Sequence, residues 1–325
     1  AWVRRQRPVN RRLDRRAARE LAVLLGGAVG DALGYRVEFD RLEAIRARYG
    51  REGLRLANAP GPLVVSDDTQ MTLFTLEGLT RAVSLVQPFA SAGALEEIRV
   101  AYLDWLATQR ADGSTPRGVL AREASLQVGR APGRTCLAAL GAGGFGTLSQ
   151  PINDSKGCGG VMRVAPLGFL SWEMNDDELF TLAAGSAALT HGHPDGYWPA
   201  AVLAVLVRAL LAEEPWMQAI ARVVAQLQNA PEADGTIRAL SGALSWAGSG
   251  RPIGVLGEGW VGEEALAIGL AAAMGARSFE EAIALAANHD GDSDSTASIA
   301  GQLYAAAHGL EAVPEAAVER LDVLK

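Results

Sequence analysis

The chain has 325 residues, of which 49% are hydrophobic and 21% charged. That is a globular composition with ample material for a core, which excludes wholesale disorder. No stretch approaches the roughly 18–20 uninterrupted apolar residues of a membrane span, so no membrane association is expected. Thirty basic and 37 acidic residues give −7, unevenly placed: residues 1–20 carry eight arginines against Asp14 and Glu20, which leaves the other 305 residues at −13. A body of that charge repels a phosphate backbone and argues against nucleic-acid binding by the main domain. The basic run itself reads as a solvated tail or helix start more readily than as a nucleic-acid or membrane arm. It lacks the apolar centre of a secretory signal. Two cysteines, Cys136 and Cys158, are too few for a disulfide scaffold. Neither has the CxxC or Cys/His spacing of a structural zinc site. Reduced thiols in a cytoplasmic protein are the simplest expectation.

Taken in chain order, the pattern predicts helices almost throughout, since Ala and Leu abound and alternating β-branched runs are scarce. The predicted helices are Leu21–Ala32, Asp68–Val83, Ala94–Thr108, Arg117–Val128, Asp176–Leu189, Trp198–Leu211, Trp216–Leu227, Gly235–Ala247, Glu263–Met274, Phe279–Ala287, Ser293–His308 and Pro314–Leu324. Gly26, Gly27 and Gly30 predict tight packing for the first of them. Two Gly-rich connections, Gly129–Gly160 and Ser249–Gly262, are long enough to suggest a functional role. No internal repeat and no low-complexity linker divides the chain. The expectation is one all-α domain over residues 20–325, preceded by a basic segment, 1–19, whose order is open.

Polar residues cluster where a helical core does not need them. Ser66-Asp67-Asp68-Thr69 and Asp290-Gly291-Asp292-Ser293-Asp294-Ser295-Thr296 each immediately precede an apolar helix. Helix capping would account for one such acidic start. It accounts less well for the second cluster, where three carboxylates within five residues repel one another and only His289 lies nearby. A hard divalent cation would relieve that repulsion. Carboxylates and hydroxyls are all-oxygen ligands, suited to Mg²⁺, Mn²⁺ or Ca²⁺ rather than Zn²⁺, and two such loops have enough donors for two ions. Asp31 lies inside an apolar helical stretch, where an unpartnered carboxylate is costly. Glu38, taken alone, reads as an ordinary surface carboxylate.

Six segments, in order, are Gly30-Asp31-x-x-Gly34-x-x-x-Glu38, Ser66-Asp67-Asp68-Thr69-x-Met71, Met162-Arg163-x-x-Pro166, Leu189-Thr190-His191, Gly259-Trp260-x-x-Glu263-Glu264-Ala265-Leu266 and Gly291-Asp292-Ser293-Asp294-Ser295. This ordered set resembles the ADP-ribosylglycohydrolase family. The resemblance implies a single compact, orthogonal all-α helical bundle with a two-metal centre. Ser66, Asp67 and Asp68 resemble the first-loop metal ligands, and Asp292, Asp294 and Ser295 the second-loop ligands, for two Mg²⁺ or Mn²⁺ ions. Asp290 lies outside the matched ligands and is expected to cap or support. Glu38 matches an acidic residue proposed to act on or near the attacking water.

The resemblance also places Ser155, Lys156, Gly157 and Cys158 against ADP-ribose. Lys156 is one of only two lysines, and its charge would suit a phosphate. Cys158 stands where Asn is common. His191 matches a position near the adenosine side of the cleft. Tyr197 could stack on a ring, Trp260 is either core or cleft wall, and Arg163 is expected to form a structural ion pair. His191 and His193 form an HxH, but no third nitrogen or sulfur ligand for zinc is evident. Some members place a catalytic Asp in the region that here reads Gly129–Leu137, with Arg130 and Arg134 instead. The implied activity is hydrolysis of the glycosidic bond at C1″ of ADP-ribose conjugates, foremost mono-ADP-ribosyl-arginine on proteins. O-acetyl-ADP-ribose, ADP-ribosyl-serine and a non-catalytic ADP-ribose-binding or structural role are the alternatives. A dinucleotide oxidoreductase has little support, since no GxGxxG follows a strand.

Overall fold

A computed structural model describes residues 11–85, 89–110, 116–170, 174–247 and 249–324. It is all-α. Helix α1 (Arg11–Gly34) is followed by α2 (Leu42–Tyr49), α3 (Asp67–Leu85), α4 (Ser91–Gln109), α5 (Arg134–Gly141), α6 (Asp176–Ala188) and α7 (Pro194–Leu211). Then come α8 (Trp216–Gln228), α9 (Asp234–Trp246), α10 (Gly262–Gly275), α11 (Phe279–Ala287), α12 (Ser293–His308) and α13 (Glu315–Val318). Among the described residues there is no strand, only isolated bridges joining Leu63 to Leu321 and Gly157 to Val261. None of the described helices is long and apolar enough to cross a membrane.

The central packing pair is α1 against α12. Their small residues repeat every four positions and meet in antiparallel order: Gly26 on Gly301, Gly30 on Ala297 and Gly34 on Ser293. Residues four apart share a helix face, so these six positions form a seam with no side chain between the two backbones. Helices α7 and α10 pack around it with buried Ala, Leu and Val. The seam fixes the end of α1, and therefore the turn carrying Glu38, beside the start of α12.

Residues 11–19 belong to α1, so the division expected after residue 19 falls inside a continuous helix; residues 1–10 lie outside the described part. Arg19 bonds to Glu213 and to the carbonyls of Leu210 and Ala306, which ties this stretch to the bundle. Two predicted helices are not formed as expected. Arg117–Val128 becomes two short 3-10 turns, Leu120–Arg122 and Ala124–Leu126. The carboxylates of α3 and α4 take its backbone donors: Asp104 accepts from the N–H groups of Arg117 and Gly118, and Glu77 from those of Val119 and Leu120. Pro314–Leu324 is helical only at α13 and the 3-10 turn Asp322–Leu324, because Arg320 and Asp322 pair their backbones with Leu63. Helices α2 and α5 were not expected. The first N–H of α2, on Leu42, donates to Asp290 Oδ1 at 2.7 Å, a cap supplied from about 250 residues away along the chain.

Candidate active site

The two acidic loops meet. A cleft of about 490 Å³ is lined by Glu38, Asp67, Asp68, Asp292, Asp294 and Ser295, with Gly157, Cys158, His191 and Trp260. The carboxylates arrive on three pieces of the fold. Asp67 and Asp68 open α3, Asp292 is the N-cap of α12, Asp294 lies in its first turn, and Glu38 follows α1. Helix N-termini favour negative charge, which explains in part how the chain tolerates this concentration.

Asp31 anchors the first loop from beneath. It is fully buried and accepts from the N–H groups of Ser66 and Thr69 and from the Thr69 hydroxyl. Burial pushes its pKa up to about 6 against the opposing pull of those bonds. Ser66 is itself fully buried, and its Oγ accepts from the Asp68 N–H at 3.2 Å. Asp67 Oδ2 accepts from the Gly133 N–H at 3.0 Å. Burial, opposed by that bond and reinforced by Asp31 and Asp292, raises Asp67 to about 8. Burial and then the neighbouring carboxylates raise Asp68 and Asp294 well above the usual carboxylate range. Glu38 rises to about 9, first through burial and then through Asp292, Asp67 and Asp31.

In the second loop, Gly291 has φ 120°, and a Cβ there would lie 2.0 Å from the Glu258 carbonyl oxygen. Only glycine fits that close approach. The approach lets the Asp292 N–H donate to the same carbonyl at 2.8 Å. Glu264 holds Glu258 in place by accepting from the N–H groups of Glu258 and Gly259. Asp290 points away, to the Leu42 N–H and to Arg41 at 3.7 Å. It lines a larger neighbouring cavity of about 800 Å³ that contains none of the expected ligand residues.

The other expected residues divide. His191 lines the cleft and accepts or donates at Nδ1 with the Thr190 hydroxyl, 2.8 Å away. Burial, with Arg163 nearby, lowers it to about 3, so it is neutral. Trp260 is a wall of the cleft, 40% exposed, and stacks on Phe39 with ring centroids 6.2 Å apart. Ser155 sits behind the wall, its hydroxyl 3.2 Å from that of Thr135. Lys156 is already matched: its Nζ donates to Glu263 Oε1 at 2.6 Å. Tyr197 is buried edge-on against Trp198, away from the lining residues. His193 caps α7, its Nδ1 accepting from the Asp195 N–H. Arg163 is structural, but its partners are neutral rather than ionic. It donates to the Thr190 hydroxyl, the Ser186 carbonyl and the Cys136 sulfur, and it stands over the Tyr102 ring.

The region Gly129–Leu137, singled out in the sequence for the catalytic Asp it lacks, supplies Ala131–Cys136 as a wall of the cleft. Sequence reasoning missed the aromatic Phe39, exposed at the mouth, for which the only signal was its place beside Glu38.

Among the described residues, no three or more His, Cys, Asp or Glu side chains are drawn close enough together to cage an ion. The donor set nevertheless fits a cation. Five carboxylates line one cleft, and Asp68 Oδ2 and Glu38 Oε2 are buried without a hydrogen-bond partner. Arg134 is the only arginine or lysine on the described lining, it is exposed, and it makes no ion pair with any of the five. Buried charge of one sign needs a counter-charge or must be neutralised by protons.

The sequence profile described as ADP-ribosylglycohydrolase matches residues 12–325. The chain belongs to the ADP-ribosylglycohydrolase family. Among solved structures it is similar to an "ADP-ribosylglycohydrolase-related protein complex", with 27% identity and a TM-score of 0.63 over 95% of this chain and 94% of that one. No curated protein matches it. The family's members act on ADP-ribose conjugates and are generally hydrolytic, which makes the acidic cleft the natural place for that chemistry.

Proposed function

We propose that the protein is a divalent-cation-dependent hydrolase that cleaves the glycosidic bond at C1″ of ADP-ribose conjugates, foremost mono-ADP-ribosyl-arginine on proteins. One observation carries the reading: five carboxylates from three separate parts of the chain converge in one cleft and, among the described residues, form no ion pair with an arginine or lysine. Ser66, Asp67, Asp68, Asp292, Asp294 and Ser295 would hold two ions, Mg²⁺ by ligand type with Mn²⁺ as the alternative. Bound there, such ions supply positive charge that orients ribose hydroxyls and lowers the pKa of water.

The chain's own residues do the rest. Glu38 lines the cleft with the other carboxylates, its Oε2 buried and without a hydrogen-bond partner, a group able to hold or accept a proton from water. Gly157, Cys158 and neutral His191 line the side where the ADP-ribose would lie. The small residues there allow close approach of an anion to backbone N–H groups. Ser155 and Lys156 support this wall from behind, Lys156 through its pair with Glu263. Trp260 and Phe39 form the rim against which a ring would rest. Tyr197, buried against Trp198, acts through packing.

A second reading of the acceptor has its own observation. Arg134 lines the same cleft as the carboxylates and would repel a cationic arginine leaving group. A neutral linkage, as in ADP-ribosyl-serine or O-acetyl-ADP-ribose, avoids that repulsion.

The test is release of free ADP-ribose from arginine-, serine- and aspartate-linked conjugates and O-acetyl-ADP-ribose, with Mg²⁺ and with EDTA. Cation-dependent release from one linkage supports the hydrolase and names its acceptor. ADP-ribose binding without release from any conjugate would overturn catalysis in favour of a binding role.

A further inference from the structure

Cys158 is the one sulfur-bearing nucleophile that touches the carboxylate cluster, and the cation reading above does not assign it a role as a metal donor. It opens the 3-10 turn Cys158–Gly160. Its backbone is pinned, with the N–H donating to the Trp260 carbonyl at 3.2 Å and the carbonyl accepting from Val161 and Met162. The side chain therefore has a fixed origin. Its Sγ lies 2.7 Å from Asp292 Oδ2 and 3.6 Å from Ser295 Oγ. The same Ser295 hydroxyl lies 3.9 Å from Met162 Sδ. With metal–oxygen and metal–sulfur bonds of roughly 2.1 and 2.3 Å, adjacent donors to one ion stand about 3.1 to 3.6 Å apart. Cys158 Sγ and Ser295 Oγ, 3.6 Å apart, already have that spacing, and Asp292 Oδ2, now hydrogen-bonded to the thiol at 2.7 Å, would open by about half an ångström on loading.

A second, independent feature points to a ligand at this spot. Asp68, 2% exposed, interacts with the same Ser295 and leaves Oδ2 buried without a hydrogen-bond partner. The other cysteine does not compete for this role. Cys136 lines the same cleft, but its Sγ accepts from the Arg163 guanidinium at 3.4 Å, and no hydrogen bond among the described residues joins it to the carboxylates.

We propose that Cys158 donates its sulfur to one of the two cation positions, making a mixed oxygen–sulfur site. The proposal rests on the cation-binding reading above and adds a preference to it. Sulfur ligands favour softer ions, so this position should prefer Zn²⁺ or Cd²⁺ over Mg²⁺. On loading, the sulfur lone pair forms the metal bond and the thiol proton leaves to solvent; no oxidant or reductant is involved.

The experiment uses the full chain stripped with chelator, kept in a non-thiol reductant and titrated with CdCl₂. Two readouts are followed: the ultraviolet sulfur-to-cadmium charge-transfer band, and Cd²⁺ and Mg²⁺ affinity by calorimetry. The wild type is expected to show the band, and Cys136→Ser to keep it. Cys158→Ser should lose the band and bind Cd²⁺ at least about tenfold more weakly, with Mg²⁺ affinity changed by less than about threefold. Cys158→Ala serves the same purpose if the serine variant melts early. Binding of Mg²⁺ or Cd²⁺ with no band, or a band that survives Cys158→Ser, would overturn the sulfur donor and leave the oxygen centre standing. Failure of the wild type to bind Mg²⁺, Mn²⁺ or Cd²⁺ at all would overturn both readings.

Discussion

A Cβ on Gly34 would lie 2.1 Å from the carbonyl oxygen of Ser293, so α1 and α12 touch backbone to backbone just below the carboxylate cluster. No flexible side chain can move aside there. Gly34→Ala must separate the helices or bend one of them. A loss of about 3 kcal/mol in urea unfolding is expected, at the upper end of overpacking costs. Activity should fall further than stability explains, because Glu38 and Asp294 would move apart. A Gly34→Ala protein with wild-type stability and turnover would show that the seam does not set the site.

Glu38→Gln keeps the shape and removes the proton acceptor. Turnover should fall about 10²–10⁴-fold, the range for loss of general acid–base help, while Mg²⁺ affinity stays within a few-fold. Calorimetry beside single-turnover kinetics separates the two. Loss of both together would place Glu38 among the ligands instead.

The raised carboxyl pKa values make a signed prediction about pH. Groups with a folded-state pKa above the unfolded value bind protons more tightly when folded, so the native state is favoured at acid pH. The metal-free fold should lose stability as pH climbs from about 4, the ordinary carboxylate value, through about 6 for Asp31, 8 for Asp67 and 9 for Glu38. Thermal melts in EDTA should therefore decline across that window. Saturating Mg²⁺ should reverse the decline near neutral pH. Asp294→Asn removes one repelling charge, so its EDTA melts should decline less steeply, while its Mg²⁺-dependent activity should drop at least about 100-fold. Melting temperatures that rise with pH in EDTA would contradict the repulsion account.

Arg134 offers a test of acceptor choice. If its guanidinium repels an arginine leaving group, Arg134→Ala should raise kcat/KM for arginine-linked conjugates relative to serine-linked ones by about threefold to tenfold, a difference of roughly 1 kcal/mol. An unchanged ratio would make Arg134 a bystander to acceptor selection.

Much of this protein was legible in the sequence because the information was local. Amphipathic periodicity and start signals placed Phe279–Ala287 and Ser293–His308 at the bounds the structure shows. The six ordered motifs pointed to the family that the profile over residues 12–325 establishes. The acidic starts also announced their chemistry, since carboxylates at that density call for a counter-charge wherever the chain goes. What tertiary structure alone decided was partnership. Arg117–Val128 has a helical pattern but loses its backbone donors to Asp104 and Glu77, residues of helices already packed. Lys156 looks free in sequence and is paired with Glu263, 107 positions away. Arg163 finds neutral acceptors, and Tyr197 turns into the core. Cys158 comes to rest 2.7 Å from a carboxylate 134 residues on. A side chain's long-range partner depends on how distant helices pack, and helical periodicity carries no record of that.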